Sequence, residues 1–156
     1  MMVLNPTPTK LWAPKGSKPV QLVNGKERGK SNRICFFGVS SDDENHCCTA
    51  DVINSDTFIS SVRYLFRFHE KIALILDPAP SHTSKKTIKF FERNKHRLIV
   101  EFLPPKSPEL NPQEQGWKSA RKNVTYRLFN EKKSLGWAVK SHIRMEFKVN
   151  LNGFWG

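Results

Sequence analysis

Acidic residues and long apolar runs are what this sequence has least of. Its 156 residues hold 14 Asp and Glu against 26 Lys and Arg, a net charge of +12. No acid occurs before Glu27. A surplus of this size favours a polyanion as partner, or simply aids solubility. No apolar stretch approaches the roughly 20 residues that a membrane span needs, so no membrane association is expected. The opening Met1-Met2-Val3-Leu4-Asn5-Pro6 is too short and too weakly apolar for a secretory signal. Only 3 cysteines are present, Cys35, Cys47 and Cys48. An odd count suits a reducing compartment, and the chain is expected to be intracellular. His46-Cys47-Cys48 suggests a metal cluster, but no second ligand pair stands at zinc spacing, and buried strand thiols are the preferred reading. Repeats and low-complexity tracts are also missing. The length fits a single domain with a sizeable core.

What is present divides into a basic Pro/Gly-rich arm (1–32), a core (33–130) and a carboxy-terminal helix and tail (131–156). In the arm, Trp12-Ala13-Pro14-Lys15-Gly16 reads as a turn, and the whole segment as solvated. Arg33 to Ser41 is short, apolar and β-prone, and His46 to Ile53 returns as a second strand, which predicts an antiparallel hairpin. Asp42, Asp43 and Glu44 in the turn are expected to be solvated rather than a metal site. Ser55 or Asp56 is placed as N-cap of a helix whose Phe58, Ile59, Val62, Leu65 and Phe66 share one face. Ile72 to Leu76 is apolar throughout, which predicts a central strand buried on both faces. Thr83 or Ser84 caps the next helix, with Ile88 and Phe91 inward and Lys85, Lys86, Lys89 and Arg93 outward. A strand from Leu98 to Leu103 completes a βαβ unit, which makes the two strands parallel. Four prolines bar helix and central strand from Leu103 to Pro112. A helix then starts near Gln113, with Pro112 in its first turn, Trp117, Val124 and Leu128 inward, and Lys118, Arg121 and Lys122 on its surface. A last helix is predicted over 134–149, with Trp137, Ile143 and Phe147 on its apolar side.

Two acids stand where chemistry collects. Asp77 directly follows the apolar strand, and strand carboxyl ends are where open α/β sheets place their sites. Glu114 lies in the first turn of the helix behind the proline loop. Helix, strand and loop between them can return the chain to the same sheet end. The two carboxylates could then share a hard cation such as Mg²⁺ for in-line displacement at a phosphodiester. The plainer alternatives are a turn-bonding Asp77 and a Glu114 placed by the helix dipole. Glu109 is the rival acid in the loop. His82 is either a third ligand, a phosphate contact or a local loop bond. The seven basic residues Lys85, Lys86, Lys89, Arg93, Lys118, Arg121 and Lys122 are either solvated surface or a grip on DNA.

ILDPAPSHTSKK (Ile75 to Lys86) and FLPPKSPELNPQEQGWK (Phe102 to Lys118) resemble the second and third acidic motifs of the DDE transposases, in the mariner superfamily and its bacterial insertion-sequence relatives. LWAPKGSKP (Leu11 to Pro19) resembles the segment after the first acidic motif. The resemblance implies a ribonuclease-H-like mixed five-stranded sheet flanked by helices. It implies Mg²⁺- or Mn²⁺-dependent cleavage and joining of DNA at transposon ends, with Asp77 and Glu114 as catalytic acids and metal ligands. It further implies a homodimer acting in the bacterial cytoplasm on the nucleoid. Three departures stand out. The first acid and its strand are expected to be lacking, together with the helix-turn-helix region of the family. Pro78 replaces the usual Asn. Lys106 replaces the usual Tyr. The sequence is therefore read as an amino-terminally truncated, inactive catalytic domain. The alternative is a non-catalytic nucleic-acid-binding protein derived from one.

Overall fold

The computed structural model describes residues 2–3, 15, 33–125, 127, 129 and 131–148. Strands β1 (Met2–Val3), β2 (Arg33–Ser40) and β3 (Asn45–Ala50) form an antiparallel sheet in that order. Helix α1 (Ser55–Leu65) leads to β4 (Ile72–Leu76), and α2 (Pro80–Thr83) and α3 (Lys85–Arg93) lead to β5 (Leu98–Phe102). Strands β4 and β5 pair in parallel, Ile72 opposite Leu98 through Leu76 opposite Phe102. A 3₁₀ turn (Pro108–Leu110) precedes α4 (Pro112–Thr125). Helix α5 (Lys132–Ser141) ends in a π-helical turn (His142–Glu146).

The hairpin, the βαβ unit and α4 follow the sequence expectations. Apolar alternation sets the β2–β3 register, Cys35 opposite Ala50 through Ser40 opposite Asn45. The turn between them closes through Ser41, whose N–H donates to the Glu44 carbonyl (2.9 Å) and whose Oγ accepts from Glu44 N–H (3.1 Å). Helix α1 starts one residue earlier than expected. Asn54 is the N-cap, because its Oδ1 accepts from Thr57 N–H (2.9 Å) while Thr57 Oγ1 accepts from Asn54 N–H (3.0 Å). Such a reciprocal box satisfies two otherwise unmatched helix donors. Ser84 caps α3 as expected, accepting from Thr87 N–H.

Two apolar clusters hold the chain. One joins α1, α3, β4 and β5 through residues such as Phe58, Val62, Leu74, Phe91 and Leu98. Burying side chains of this size contributes about 1.5–3 kcal/mol each. The other joins β2, β3, α4 and α5 through residues such as Phe36, Cys47, Ala120, Val139 and Ile143. Cys35 and Cys47 are buried, in agreement with the strand-thiol reading. Burial, and the neighbouring Cys48, push the Cys47 thiol up to about 12, so it stays protonated and is a poor metal ligand.

Four expectations are corrected. Strand β4 is buried on one face alone: Leu74 is buried while Ile75 is 54% exposed, as is Ile99 beside it on β5 (63%). Helices α1 and α3 cover the inner side, and nothing among the described residues covers the other. Trp137 points outward at 69% exposure, because Leu135, Ala138 and Val139 set the inner face of α5. The five described strands form not one sheet but a three-stranded and a two-stranded ladder, since β2 and β4 share no hydrogen bonds. Met2–Val3 supplies a strand where none was expected, although it reaches only Arg33 and Ile34 of β2. The rest of the arm apart from Lys15, which sits in a turn, lies outside the described residues, as do Leu128 and the tail from 149. No described helix is long and apolar enough to cross a membrane.

Candidate active site

A cleft of about 410 Å³ lies between the two ladders. Residues 36–41 of β2 and its turn form one wall, and residues 73–77 of β4 and its end form the other. Asp77 and Glu114 both line it, and they are the only acids that do among the described residues. Sequence reasoning placed these two carboxylates together, and the fold brings them to one cavity.

Asp77 arrives there because β4 ends in Asp77-Pro78-Ala79-Pro80, and proline stops the ladder. Helix α2 then turns His82 back onto it. His82 Nδ1 lies 2.8 Å from Asp77 Oδ1 and 2.9 Å from the Asp77 carbonyl oxygen. Both partners accept, so this nitrogen carries the proton and donates. The His82 ring is fixed from the other side by Phe58, with ring centroids 4.3 Å apart. The hydrogen bond from His82 lowers the pKa of the Asp77 carboxyl below its usual value, against a smaller opposing effect of burial. Asp77 is thus held ionised while its side chain stays 51% exposed. Of the readings open for His82, the local bond is the one the structure shows.

Glu114 is positioned by Asn111. The Asn111 side chain accepts from Gln113 N–H (3.1 Å) and its carbonyl accepts from Glu114 N–H (3.0 Å), which caps α4 at its first turn. The proline loop is anchored to the sheet end by Leu103 N–H, which donates to the Leu76 carbonyl (2.8 Å). Within the loop, Lys106 has φ 61°, in the left-handed region that a side chain disfavours. The rival Glu109 is exposed in the 3₁₀ turn and does not line the cleft.

Three neighbours were not singled out from the sequence. Gly38 lets β2 approach α4. Gln113 bonds Ser40 across the gap, Ser40 Oγ donating to Oε1 at 2.7 Å, while its buried Nε2 finds no protein acceptor among the described residues. Ser40 is the third. The pattern Asn111-Pro112 was a readable capping signal, but nothing in the sequence marks Gly38 or Ser40.

The basic residues divide between two elements. Lys85, Lys86, Lys89 and Arg93 are exposed on α3, and Lys118, Arg121 and Lys122 are exposed on α4. Lys86 forms an ion pair with Asp56. Lys89 and Arg93 share a shallow pocket with Arg63, whose guanidinium sits 5.6 Å from the centre of the Phe90 ring.

Residues 2–136 match the family model described as DDE superfamily endonuclease. No curated protein sequence matches the chain. Among solved structures it is similar to the Mos1 strand transfer complex, at TM-score 0.68 and 16% identity, over 92% of this chain and 44% of that one. It is also similar to the Mos1 transposase paired-end complex with left transposon end, at TM-score 0.62 and 15% identity, over 92% and 49%. A third match is the Mos1 mariner paired end complex with Mn, at TM-score 0.59 and 16% identity, over 92% and 45%. At these identities the likeness is one of fold, and it agrees with the ribonuclease-H-like mixed α/β architecture. The chain spans less than half the length of each of these proteins.

Proposed function

We infer the function from one premise: the chain belongs to the DDE superfamily endonucleases. Its role is that of a transposase-type nuclease fold, acting on DNA at transposon ends through metal-dependent cleavage and strand transfer. The observation that carries this is the meeting of Asp77 and Glu114 on one cleft, each within its acidic motif.

The residues fit a hard divalent cation. Both donors are carboxylate oxygens, which suit Mg²⁺ or Mn²⁺ rather than a soft metal. Asp77 is kept ionised by His82, so a proton competes less for its oxygens. A cation between them would polarise the phosphodiester and activate the attacking oxygen. The protein's own part is positional. Asn111 and the proline loop fix Glu114, His82 orients Asp77, and the lysines and arginines of α3 and α4 draw in the DNA backbone. Lys86 takes part once its ion pair with Asp56 opens.

Asp77 and Glu114 are two carboxylates where the family motifs call for three acids, so cleavage by this chain alone is expected to be weak or absent. That favours, as a second reading, a nucleic-acid-binding protein that keeps the basic surface without the chemistry. A homodimer bringing two ends together, at work on the nucleoid, belongs to the same proposal, and a sizing column in the presence of end DNA tests it. Nicking of supercoiled plasmid with Mn²⁺ tests the chemistry: Asp77→Ala and Glu114→Ala should each abolish whatever activity the parent shows. Activity unchanged in both would sink the assignment. Binding without nicking, with an affinity that falls steeply with salt, selects the second reading.

A further inference from the structure

The turn of the β2–β3 hairpin carries a group of side chains that the active site does not use. Glu44 precedes β3, His46 is its second residue, and His69 lies in the connection from α1 to β4. Their polar ends converge. His46 Nε2 is 3.3 Å from His69 Nε2. Glu44 Oε2 is 3.0 Å from His46 Nε2, and Glu44 Oε1 is 3.1 Å from His69 Nε2. None of the three lines the cleft that holds Asp77 and Glu114.

We propose that Glu44, His46 and His69 form a second metal site, a two-histidine, one-carboxylate centre for Zn²⁺. Zinc binds imidazole nitrogen at about 2.0–2.1 Å, which puts the ligand atoms of a tetrahedral site about 3.3 Å apart. The two imidazole nitrogens stand at that separation, 3.3 Å apart, and Glu44 reaches each with a different carboxylate oxygen, at 3.0 and 3.1 Å, so that one oxygen lies within 4.8 Å of both nitrogens. The donor set is also chemically distinct from that of the cleft. Two imidazoles favour Zn²⁺ over Mg²⁺, whereas an all-carboxylate pair does the opposite.

The backbone of each ligand is fixed by a different set of bonds, so the triangle is preorganised. Glu44 is held by three bonds to Ser41: its carbonyl accepts from the Ser41 N–H and Oγ, and its N–H donates to Oγ. His46 pairs with Val39 in the ladder. His69 is held through its carbonyl, which accepts from Arg97 Nη2 (3.0 Å), and the same guanidinium also bonds Phe66 and Glu70 while stacking 3.9 Å over the Phe66 ring. The His46 ring packs against Phe68, with centroids 5.1 Å apart, which shields one side of the site. Solvent enters past Glu44, whose side chain is 47% exposed, and water would complete the coordination. The metal would tie the hairpin turn to the α1–β4 connection.

The sequence suggested neither the partner nor the set. His46 was considered with Cys47 and Cys48, but strand alternation sends Cys47 to the opposite face. Glu44 was expected to be solvated with Asp42 and Asp43. His69 stands 23 residues from His46, at no zinc-motif spacing.

The test is calorimetric titration of the metal-stripped full chain with Zn²⁺, repeated with Co²⁺ for its visible absorption. Saturable Zn²⁺ binding that excess Mg²⁺ does not displace is expected, with a four-coordinate Co²⁺ spectrum. His69→Ala should weaken binding by roughly 100-fold or more, since even the outer partners of metal ligands are worth 10–100-fold. Glu44→Gln, at an exposed position, reports on the site should His46→Ala fail to fold. Asp77→Ala with Glu114→Ala should leave the Zn²⁺ affinity intact, which separates this site from the proposed active site. Loss of binding in that pair or in Cys48→Ser, retention in His69→Ala and Glu44→Gln, or no saturable binding in the parent would each overturn the proposal.

Discussion

Gly38 is where β2 passes closest to the head of α4, and a methyl group added there tests how the acid-bearing helix is seated. A Cβ on Gly38 would lie 2.5 Å from Gln113 Nε2 and 2.8 Å from both Gln113 Cδ and Trp117 Cη2. All three are well inside van der Waals contact. The Gln113 amide is the end of a flexible side chain, but it is held by Ser40 Oγ (2.7 Å), a bond worth about 1 kcal/mol net. The Trp117 ring packs near Phe36 and against the second apolar cluster, so it yields less. Overpacking of this kind costs roughly 1–3 kcal/mol. Alanine in a strand regains about 0.5–1 kcal/mol over glycine, because it gives up less backbone freedom on folding. The net expectation for Gly38→Ala is a loss of about 1–2 kcal/mol, a fall in Tm of roughly 2–8 °C at this chain length. Thermal unfolding followed by circular dichroism measures it, with Gln113→Ala and the double variant alongside. Shortening Gln113 opens the space, so the double variant should lose less than the two single losses together. Because Glu114 is the next residue in the same turn, Mn²⁺ binding should weaken in Gly38→Ala as well. A Tm at or above the parent's, or strict additivity in the double variant, would refute the close seating of α4.

Ile143 is fully buried and Trp137 is 69% exposed, so Ile143→Ala should cost about 2–5 kcal/mol and Trp137→Ala within about 0.5; denaturant midpoints showing equal losses would contradict the packing of α5. The lowered pKa of Asp77 contributes stability that is present above the unfolded pKa and is lost as pH falls through the folded one. In His82→Ala that pKa rises, so Mn²⁺ affinity should fail at a higher pH than in the parent; superimposable pH profiles would show that His82 does not hold Asp77 ionised. Beyond Ile34, β2 is paired among the described residues on its β3 side alone, so hydrogen exchange should find alternate amides of Cys35 to Ser40 protected and those between them open. Uniform protection along β2 would mean that the cleft is closed.

The sequence is informative where periodicity and punctuation act locally. The α1 stripe, the Ser84 cap, the hairpin and the start of α4 at Pro112 follow from spacing and from proline, and the structure has them all. The positions of Asp77 and Glu114 were legible because each stands beside a proline breaker: Asp77 closes an apolar strand just before Pro78, and Glu114 opens a helix just after Pro112. What was illegible depended on contacts distant in sequence. Ile72 to Leu76 is continuously apolar, which ordinarily means burial on both faces, yet only one face of β4 meets helices. Trp137 is apolar at a plausible helical position, but small residues at Gly136 and Ala138 let α5 lie close to β2 and turned the indole out. Gly136 shows the fit: a Cβ there would sit 3.0 Å from Ile34 Cδ1. The Glu44, His46 and His69 group needed the hairpin turn and the α1–β4 connection to be neighbours, which no local pattern announces.

The count of carboxylates at the cleft bears on how a cation would be held there. Mg²⁺ asks for six oxygens in near-octahedral geometry and is commonly bound by one or two carboxylates, with waters and substrate phosphates completing the set. On the proposed function, Asp77 and Glu114, the only acids lining the cleft among the described residues, would make a weak site in the free protein, and one that DNA would complete with its own phosphate oxygens. Binding of metal and of DNA are then coupled, and by reciprocity each strengthens the other by the same factor. On the proposed function, the basic residues of α3 and α4 would add a salt-sensitive attraction that needs no cation. The two contributions separate under substitution. Loss of Asp77 or Glu114 removes the coupling and leaves the salt-dependent binding, whereas loss of the lysines and arginines weakens binding whether or not the cation is present.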